Sequence, residues 1–313
     1  MTERVCIAGA GVIGSLFAGH LAQVTDVSVL ARREAHARAL NEHGLRVSGR
    51  SDLDAHVTAS TDVAALPEPD LVLVCSKGTD VAALADRLAG HWPQATMMTV
   101  QNGLGADEIV GERGPWPILS SVTFMSGTRH TDTHVEYILD TATWIGPFRG
   151  TTPADAERVA GLIRSSGLEA EAFGDLRPAL WSKLIFNATV NTVAALTGLP
   201  HDPHFAALAE PGDLGHLVRA LMDEGKAVAA AAGVELREDP WEMNVHATKR
   251  GSAHYPSMLE DVEAHRPTEI ELITGSLVRE GNRHGVPVPL HSTMYRLIKA
   301  KEGSWSTERC GSV

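Results

Sequence analysis

The first half of the chain alternates short apolar runs with longer stretches whose apolar residues recur at helical spacing. Six runs have the length of strands: RVCIAGAG, DVSVLAR, LDAHVTAS, LVLVCSK, ATMMTVQNG and PILSSVTFM. Strands separated by helix-length segments predict βαβ units, in which helices cover both faces of a parallel sheet. The later segment EYILDTATWIGPF predicts one or two further strands that extend the same sheet.

From TPADAERVAGLIRSSG onward the pattern is almost purely helical. Helices are predicted near 176–196, 213–232, 239–249, 256–284 and 290–301, and the prolines of HGVPVPL separate the last two. The polar tail EGSWSTERCGSV is expected to fray. The predicted fold class is therefore α/β: a Rossmann-type parallel-sheet domain over residues 1–174, followed by an all-α domain over 175–313.

Composition and charge narrow the function classes. A length of 313 residues suits two domains, and 43% hydrophobic with 21% charged residues is typical of a globular protein. No apolar run approaches the roughly 20 residues of a membrane helix, and the N-terminus lacks the order of a signal peptide. A net charge of -12 disfavours nucleic acid. We expect a cytoplasmic protein with no nucleic-acid or membrane partner.

Cysteine and histidine do not predict a metal site. Cys6, Cys75 and Cys310 are scattered, and the first two lie in predicted strands, where a small buried thiol is the ordinary role. His201 and His204 occur in PHDPH, but the flanking prolines predict an irregular loop, and no carboxylate cluster accompanies them. We therefore assign no metal.

A glycine loop follows the first predicted strand and precedes a predicted helix. Gly9, Gly11 and Gly14 have the G-x-G-x-x-G spacing. These glycines permit a tight turn, close approach of a pyrophosphate and close helix–strand packing, with the phosphate at a helix N-terminus. The loop therefore predicts dinucleotide binding by the residues Gly9, Ala10, Gly11, Val12, Ile13 and Gly14.

The strand DVSVLAR favours NADPH over NADH. Where an NAD-binding protein normally has an acidic residue for the ribose, this chain has Arg32 and Arg33, and Glu34 lies beyond the strand end. An arginine can pair with the 2′-phosphate of NADPH in a charge-assisted manner. We favour Arg32 for this contact, and the sequence leaves the choice between Arg32 and Arg33 open.

Two more loops follow predicted strands at the ligand-binding edge of such a sheet. CSKGTD contributes Lys77, and VQNGLG contributes Asn102. A lysine after a strand is often a solvated cap, and Asn-Gly is often only a turn. Their occurrence at the same edge as the glycine loop favours a role in binding cofactor or substrate.

The stretch WSKLIFNATVN places Lys183, Asn187 and Asn191 four residues apart among apolar residues. Four residues advance a helix by about 40° beyond one turn, so the three polar groups share one side of a helix. Either they face a polar ligand, or the lysine reaches solvent while the asparagines bond local backbone.

The motifs together resemble the ketopantoate reductase (2-dehydropantoate 2-reductase) family. The resemblance is carried by the glycine loop, Lys77, QNG at 101–103, KLIFNATVN at 183–191 and YPSMLEDVEAHRPTEIELITG at 255–275. It implies an NADPH-dependent reduction of a 2-keto acid, with ketopantoate as the first candidate. It further implies that Arg32 and Lys77 contact the cofactor.

The resemblance also implies roles in the second domain. Lys183 matches the catalytic proton donor, and Glu269 matches a glutamate near cofactor and substrate. The substrate contacts it implies are Asn102, also near the nicotinamide, Asn187, Asn191 and Ser257. Burial would lower the pKa of Lys183 and Glu269 would raise it, and the sequence leaves the outcome open.

The chain departs from the family pattern directly after Asn191. Thr192 replaces a frequent proline, His201 stands near the position of a pocket asparagine, and Glu260 replaces a frequent glutamine. These changes leave another 2-keto acid or an imine open as the substrate. A non-catalytic NADP(H) sensor is weaker because Lys183 and Glu269 are both present. A homodimer is also left open.

Overall fold

The computed structural model describes residues 3–249 and 255–308, with side chains through residue 305. The chain forms two compact units. The first unit contains the residues up to Gln101 together with Ala106–Leu176. The second contains Asn102–Gly105 and the residues from Arg177 onward. The predicted domain division at 174/175 did not include the short segment Asn102–Gly105.

The first unit is built from twelve strands and five helices within the described residues. The strands are β1 Val5–Ala8, β2 Val27–Leu30, β3 Leu45–Gly49, β4 Leu53–Ala55, β5 Thr58–Ser60, β6 Leu71–Val74, β7 Thr96–Thr99, β8 Ile118–Val122, β9 Ser126–Thr131, β10 His134–Leu139, β11 Thr143–Arg149 and β12 Ala170–Ala172. The helices are α1 Val12–Leu21, α2 Glu34–His43, α3 Val81–Leu88, α4 Ala106–Gly111 and α5 Pro153–Ser165.

The main sheet has eight strands in the order β12-β11-β8-β7-β6-β1-β2-β5. Strand β1 pairs in parallel with β2 on one side and with β6 on the other, and all four of its residues are buried. Strands that are covered on both faces read as continuous apolar runs, which is why these strands could be predicted. The predicted α/β fold with a parallel sheet is confirmed, with β11 antiparallel to β8 as an addition.

A second sheet of four strands, in the order β4-β3-β10-β9, was not predicted. The run LDAHVTAS is two strands, because β4 pairs with β3 in this second sheet while β5 pairs with β2 in the main one. The prediction that EYILDTATWIGPF extends one sheet is also wrong in part, since β10 pairs with β3 and β9. Apolar alternation continues through both changes of sheet, so periodicity alone does not mark them.

The second unit is helical and is arranged around one long helix. Its helices are α6 Arg177–Thr197, α7 Asp213–Ala231, α8 Pro240–Thr248, α9 Ser257–Glu263, α10 Thr274–Arg283 and α11 Pro289–Glu308. Helices α7, α8, α9, α10 and α11 all pack against α6. Because these helices bury α6 on several sides, α6 is apolar over most of its circumference. The few polar residues along α6 are therefore unusual for their surroundings.

The single helix predicted over 256–284 is wrong. It is divided into α9 and α10 by the irregular segment 264–273. Pro267 disfavours helix at Arg266, and His265 has a φ of 48°, which a helix cannot contain. Glu269 therefore lies in irregular backbone between two helices rather than on a helix face.

The polar tail was predicted to fray from residue 302, but α11 continues to Glu308. Trp305 is buried and stacks on the ring of His265 at 5.4 Å between centroids. The Glu302 carboxylate accepts hydrogen bonds from the backbone and side chain of Thr268. These contacts hold the last turns on the unit, while the predicted tail residues 309–313 lie outside the described residues.

None of the described helices is both long and apolar enough to cross a membrane. Cys6 and Cys75 are buried free thiols, as predicted, and burial raises the pKa of Cys6 to about 12. Cys310 lies outside the described residues.

Candidate functional site

The glycine loop has a backbone path that only glycine permits. Gly9 has a φ of 109°, and a Cβ there would lie 2.7 Å from the backbone nitrogen of Ser76. A Cβ on Gly14 would lie 2.1 Å from the carbonyl oxygen of Gly9. The loop is thus pressed against the end of β6 and against its own first glycine, which keeps α1 close to β1.

The first turn of α1 is suited to an anion. Gly11 is the N-cap residue, and it offers no side chain to bond the free backbone N–H groups. The first turn also contains no acidic residue. Backbone donors and the helix dipole therefore favour a phosphate at this position, so Gly9, Ala10, Gly11, Val12, Ile13 and Gly14 fit the pyrophosphate of a dinucleotide.

The cations predicted from the strand ends lie in the first unit. Arg32 follows β2 and its Nη1 donates to Asp80 Oδ2 at 3.2 Å, in the turn that begins after Lys77. Arg33 donates to Asp132 Oδ1 at 2.6 Å. Glu34, the competing ribose ligand, instead accepts a hydrogen bond from Thr61. Lys77 is exposed in the loop that follows β6.

Three residues of this region were missed from the sequence: Asp80, Arg129 and Asp132. Arg129 lies on β9, and its Nη2 donates to the carbonyl oxygen of Ala10 inside the glycine loop. The signal available in the sequence was the short polar turn Asp132-Thr133 between alternating residues, which indicates a hairpin. The pairing of β9 with β10 then determines which side chains reach the loop.

In the helical unit, Lys183, Asn187 and Asn191 occupy successive turns of α6, which confirms the predicted helix. Asn187 is 8% exposed and Asn191 is 6% exposed, while Lys183 is partly buried. Burying amides and an ammonium among apolar residues is costly unless other polar groups meet them.

The pKa of Lys183 is lowered to about 8 because the ammonium loses water on burial. The carboxylate of Glu269 acts in the opposite direction and keeps the pKa from falling further. Of the two opposing effects that the sequence left open, desolvation is therefore the larger. A lysine with this pKa is a stronger acid than an ordinary lysine and is still largely protonated at neutral pH.

The segment Asn102–Gly105 brings a second loop into the helical unit. Gly103 has a φ of 94°, and a Cβ there would lie 1.9 Å from the carbonyl oxygen of Leu272. The backbone nitrogen of Leu104 donates to the same oxygen at 2.8 Å. This close backbone packing places Asn102 beside the irregular segment that carries Glu269.

A chain of hydrogen bonds joins these residues. Asn187 Nδ2 donates to Asn102 Oδ1 at 3.4 Å, and Asn102 Nδ2 donates to Glu269 Oε2 at 3.1 Å. Together with the electrostatic effect of Glu269 on Lys183, the contacts define one cluster, called here the lysine group: Lys183, Glu269, Asn102 and Asn187. Asn191 is one turn further along α6, and Ser257 is exposed at the start of α9.

Comparison with known proteins decides the family. The model described as "Ketopantoate reductase PanE/ApbA" matches residues 5–150, and the model described as "Ketopantoate reductase PanE/ApbA C terminal" matches residues 175–302. The chain belongs to the ketopantoate reductase family. The predicted resemblance is therefore confirmed.

Relatives of the ketopantoate reductase family cover nearly the whole chain. The 2-dehydropantoate 2-reductase of Archaeoglobus fulgidus is 30% identical over 96% of this chain and 98% of its own. A ketopantoate reductase structure from Ralstonia eutropha is 27% identical, with a TM-score of 0.86 over 96% of this chain and 99% of its own. A D-mandelate dehydrogenase solved with NADH and anilino(oxo)acetate shares the fold at 23% identity, with a TM-score of 0.84 over 96% and 99%.

Within this ketopantoate reductase framework, His201 is buried rather than free to bind a metal. Its Nε2 is 2.8 Å from Asn244 Oδ1, and its ring makes edge contacts with Phe186 and Phe205. His204 is exposed beside Asp202. Among the residues that the structure describes, no cluster of three histidine, cysteine or acidic residues could hold a metal.

Proposed function

We propose that this chain reduces 2-dehydropantoate to pantoate with NADPH, and that Lys183 donates the proton. The observation that carries the proposal is the lysine group, in which Glu269 acts electrostatically on an ammonium of lowered pKa and is joined by hydrogen bonds through Asn102 to Asn187. NADPH supplies the hydride in this reaction. Hydride and proton together add the two hydrogens of the alcohol across the keto C=O bond.

The keto oxygen gains negative charge as the carbonyl carbon is reduced. The ammonium of Lys183 stabilises that charge and then transfers a proton from Nζ to the oxygen. A pKa of about 8 suits this role, because the lysine carries its proton at neutral pH and gives it up more readily than a solvated lysine. Glu269 opposes the lowering of this pKa and so favours the protonated lysine.

The remaining residues of the proposed site orient the substrate. Asn102 and Asn187 are already fixed by hydrogen bonds, so their amides can direct a keto acid without first being ordered. The family motif alone assigns Asn191 a contact with the substrate and Ser257 a contact with the substrate carboxylate or hydroxyl. Glu269 and Asn102 are also assigned contacts to the nicotinamide end of the cofactor.

NADPH is proposed rather than NADH because of the arginines at the end of β2. The fold alone does not fix this choice, since the related D-mandelate dehydrogenase was solved with NADH. Arg32 is highly exposed, with 79% of its side chain accessible, and its guanidinium forms an exposed pair with Asp80. Such a pair is weak, so a 2′-phosphate can compete with Asp80 for the guanidinium. Lys77 is assigned to the cofactor by the family resemblance.

A second candidate substrate is a 2-keto acid with a different side chain. His201, near the position of the family's pocket asparagine, is 2% exposed and lies against Phe186, the residue before Asn187 on α6. This aromatic packing favours an apolar side chain on the substrate over one that needs a buried polar partner.

The test is a steady-state assay that follows NADPH consumption with ketopantoate and with 2-keto acids of smaller, branched and aromatic side chains. We expect ketopantoate to give the highest kcat/KM. A higher value for another acid would favour the second candidate, and no turnover of any acid would refute the proposal.

The cofactor assignment is tested with Arg32→Ala. We expect the KM for NADPH to rise about tenfold, as for loss of one charge-assisted hydrogen bond, while the KM for NADH changes little. Equal efficiency of the unmodified enzyme with NADH and NADPH would contradict the assignment.

A further inference from the structure

Strand β9 passes very close to the start of α1, and a glycine makes this possible. A Cβ on Gly127 would lie 3.0 Å from Val12 Cγ1 and 2.3 Å from the carbonyl oxygen of Glu136. Any side chain at this position would push β9 away from the glycine loop or from β10. Gly127 therefore brings the strand into direct contact with the proposed pyrophosphate site.

Arg129 follows two residues later and points to the same side of the strand. Its guanidinium donates to the Ala10 carbonyl oxygen and keeps 33% of its side-chain surface accessible. A guanidinium has five N–H donors, so one bond to Ala10 leaves others for a ligand. The hydrogen bond to the Ala10 carbonyl also holds the guanidinium in place before a ligand binds.

Arg129 lies in a cluster of positively charged side chains, although the chain as a whole has a net charge of -12. Arg32, Arg33 and Arg129, called here the arginine group, have Asp80 and Asp132 as carboxylate partners. Burial lowers the pKa of Arg129, Asp132 opposes this effect, and Arg33 and Arg32 add to it. Three cations near two carboxylates repel one another, and an added anion relieves that repulsion.

We propose that Arg129 binds the pyrophosphate of the dinucleotide, beside the N–H groups at the start of α1. This inference rests on the proposed NADPH-dependent function. The contact with Ala10 places Arg129 at the glycine loop, whereas Arg32 and Arg33 follow β2, where the 2′-phosphate is assigned. The two ends of the arginine group thus serve different phosphates of one cofactor.

The pyrophosphate is common to NADPH and NADH, and the 2′-phosphate is not, so binding of both dinucleotides separates the roles. Dissociation constants are measured by fluorescence titration, without substrate. We expect Arg129→Ala to raise the Kd of NADPH and of NADH by the same factor, about tenfold or more, because a charge-assisted hydrogen bond is lost. Arg32→Ala is expected to raise the Kd of NADPH only.

Arg129→Gln tests whether the arginine acts on the ligand or only on the loop. Glutamine retains a donor for the Ala10 carbonyl but has no charge. We expect it to weaken both dinucleotides nearly as much as alanine does and to reduce the salt dependence of the Kd. Binding as tight as that of the unmodified chain would overturn the inference, because Arg129 would then only support the loop.

Arg149→Ala is the matched control, since this arginine also bonds backbone carbonyls, those of Gly111, Gly114 and Trp116. It should leave both dissociation constants unchanged. If the unmodified chain binds NADPH and the Arg129→Ala variant binds it with the same Kd, this inference alone is refuted. An unmodified chain that binds neither dinucleotide would refute the proposed function and this inference together.

Discussion

The lysine group and the arginine group are both centred on cations, yet their surroundings differ. Lys183 is partly buried in the helical unit, and its pKa is lowered to about 8. Arg32 and Arg33 are exposed and paired with Asp80 and Asp132 in the first unit. One region keeps water from a single ammonium, and the other gathers several guanidinium groups beside carboxylates.

The difference follows from the chemistry of the two side chains. A lysine can lose its proton when burial lowers its pKa, so a buried lysine can act as an acid. A guanidinium stays charged under all ordinary conditions and presents several donors in a fixed plane, which suits phosphate. The first kind of site is expected to control the rate of a reaction, and the second to control the affinity for an anion.

Removal of the lysine should give the largest effect. We expect Lys183→Ala to lower kcat by about 10²–10⁴-fold, as for the loss of a general acid, while the Kd of NADPH changes little. Lys299→Ala is the control, because Lys299 pairs with Glu271 and Glu302 on the surface of the same unit. If Lys183→Ala keeps most of the kcat, the lysine group does not control the rate, and the proposed difference between the two groups is wrong.

The backbone beneath the lysine group should be the next most sensitive feature. In Gly103→Ala, a Cβ would collide with the Leu272 carbonyl oxygen, and we expect a loss of about 2–4 kcal/mol in the free energy of unfolding. Gly233→Ala is the matched control, since Gly233 also has a positive φ, of 69°, but has no atom within 4 Å of the added Cβ. Its cost should be about 1 kcal/mol.

Chemical denaturation of both glycine variants provides the comparison. Equal losses would mean that the backbone conformation, and not the packing against Leu272, accounts for the cost.

The pH dependence of the rate should reveal the balance around Lys183. The proton donor is lost as pH rises through its pKa of about 8, so kcat/KM should decline above that pH. Glu269→Gln removes the charge that raises this pKa, so the decline should begin at lower pH, and glutamine can still accept the bond from Asn102. A profile that moves to higher pH would contradict the assignment, and Glu271→Gln should leave the profile unchanged.

The smallest effect is expected at Asp132. Its carboxylate accepts a bond from Arg33 at 2.6 Å and lies 3.9 Å from Arg129 Nη1, so it competes with phosphate for both. Asp132→Asn should lower the Kd of NADPH about two- to threefold, in keeping with the modest strength of exposed pairs. Asp54→Asn removes an equal charge beside Arg46 and should have no effect. A higher Kd for Asp132→Asn would mean that the carboxylate positions the arginines.

The sequence was sufficient to predict those parts of the site whose structure is determined by neighbouring residues. The glycine loop and the strip on α6 could be predicted because a turn and a helix are each set by neighbouring residues. The contact of Arg129 with Ala10 could not, because it depends on the pairing of β9 with β10 and on the approach that Gly127 allows. Glu269 could be identified from a motif, but helical spacing on both sides of it predicts one continuous helix, whereas Pro267 disfavours helix at the residue before it.

The segment Asn102–Gly105 has a consequence for the order in which the chain can fold. Asn102 and its partner Glu269 are separated by 167 positions, although both belong to the helical unit. On the ribosome the segment is made long before Leu272 and Glu269 exist, so its contacts must wait for the second unit. In a fragment that ends at Leu176, Leu104 would lack the core of the helical unit against which it packs. A fragment that begins at Arg177 would lack Asn102.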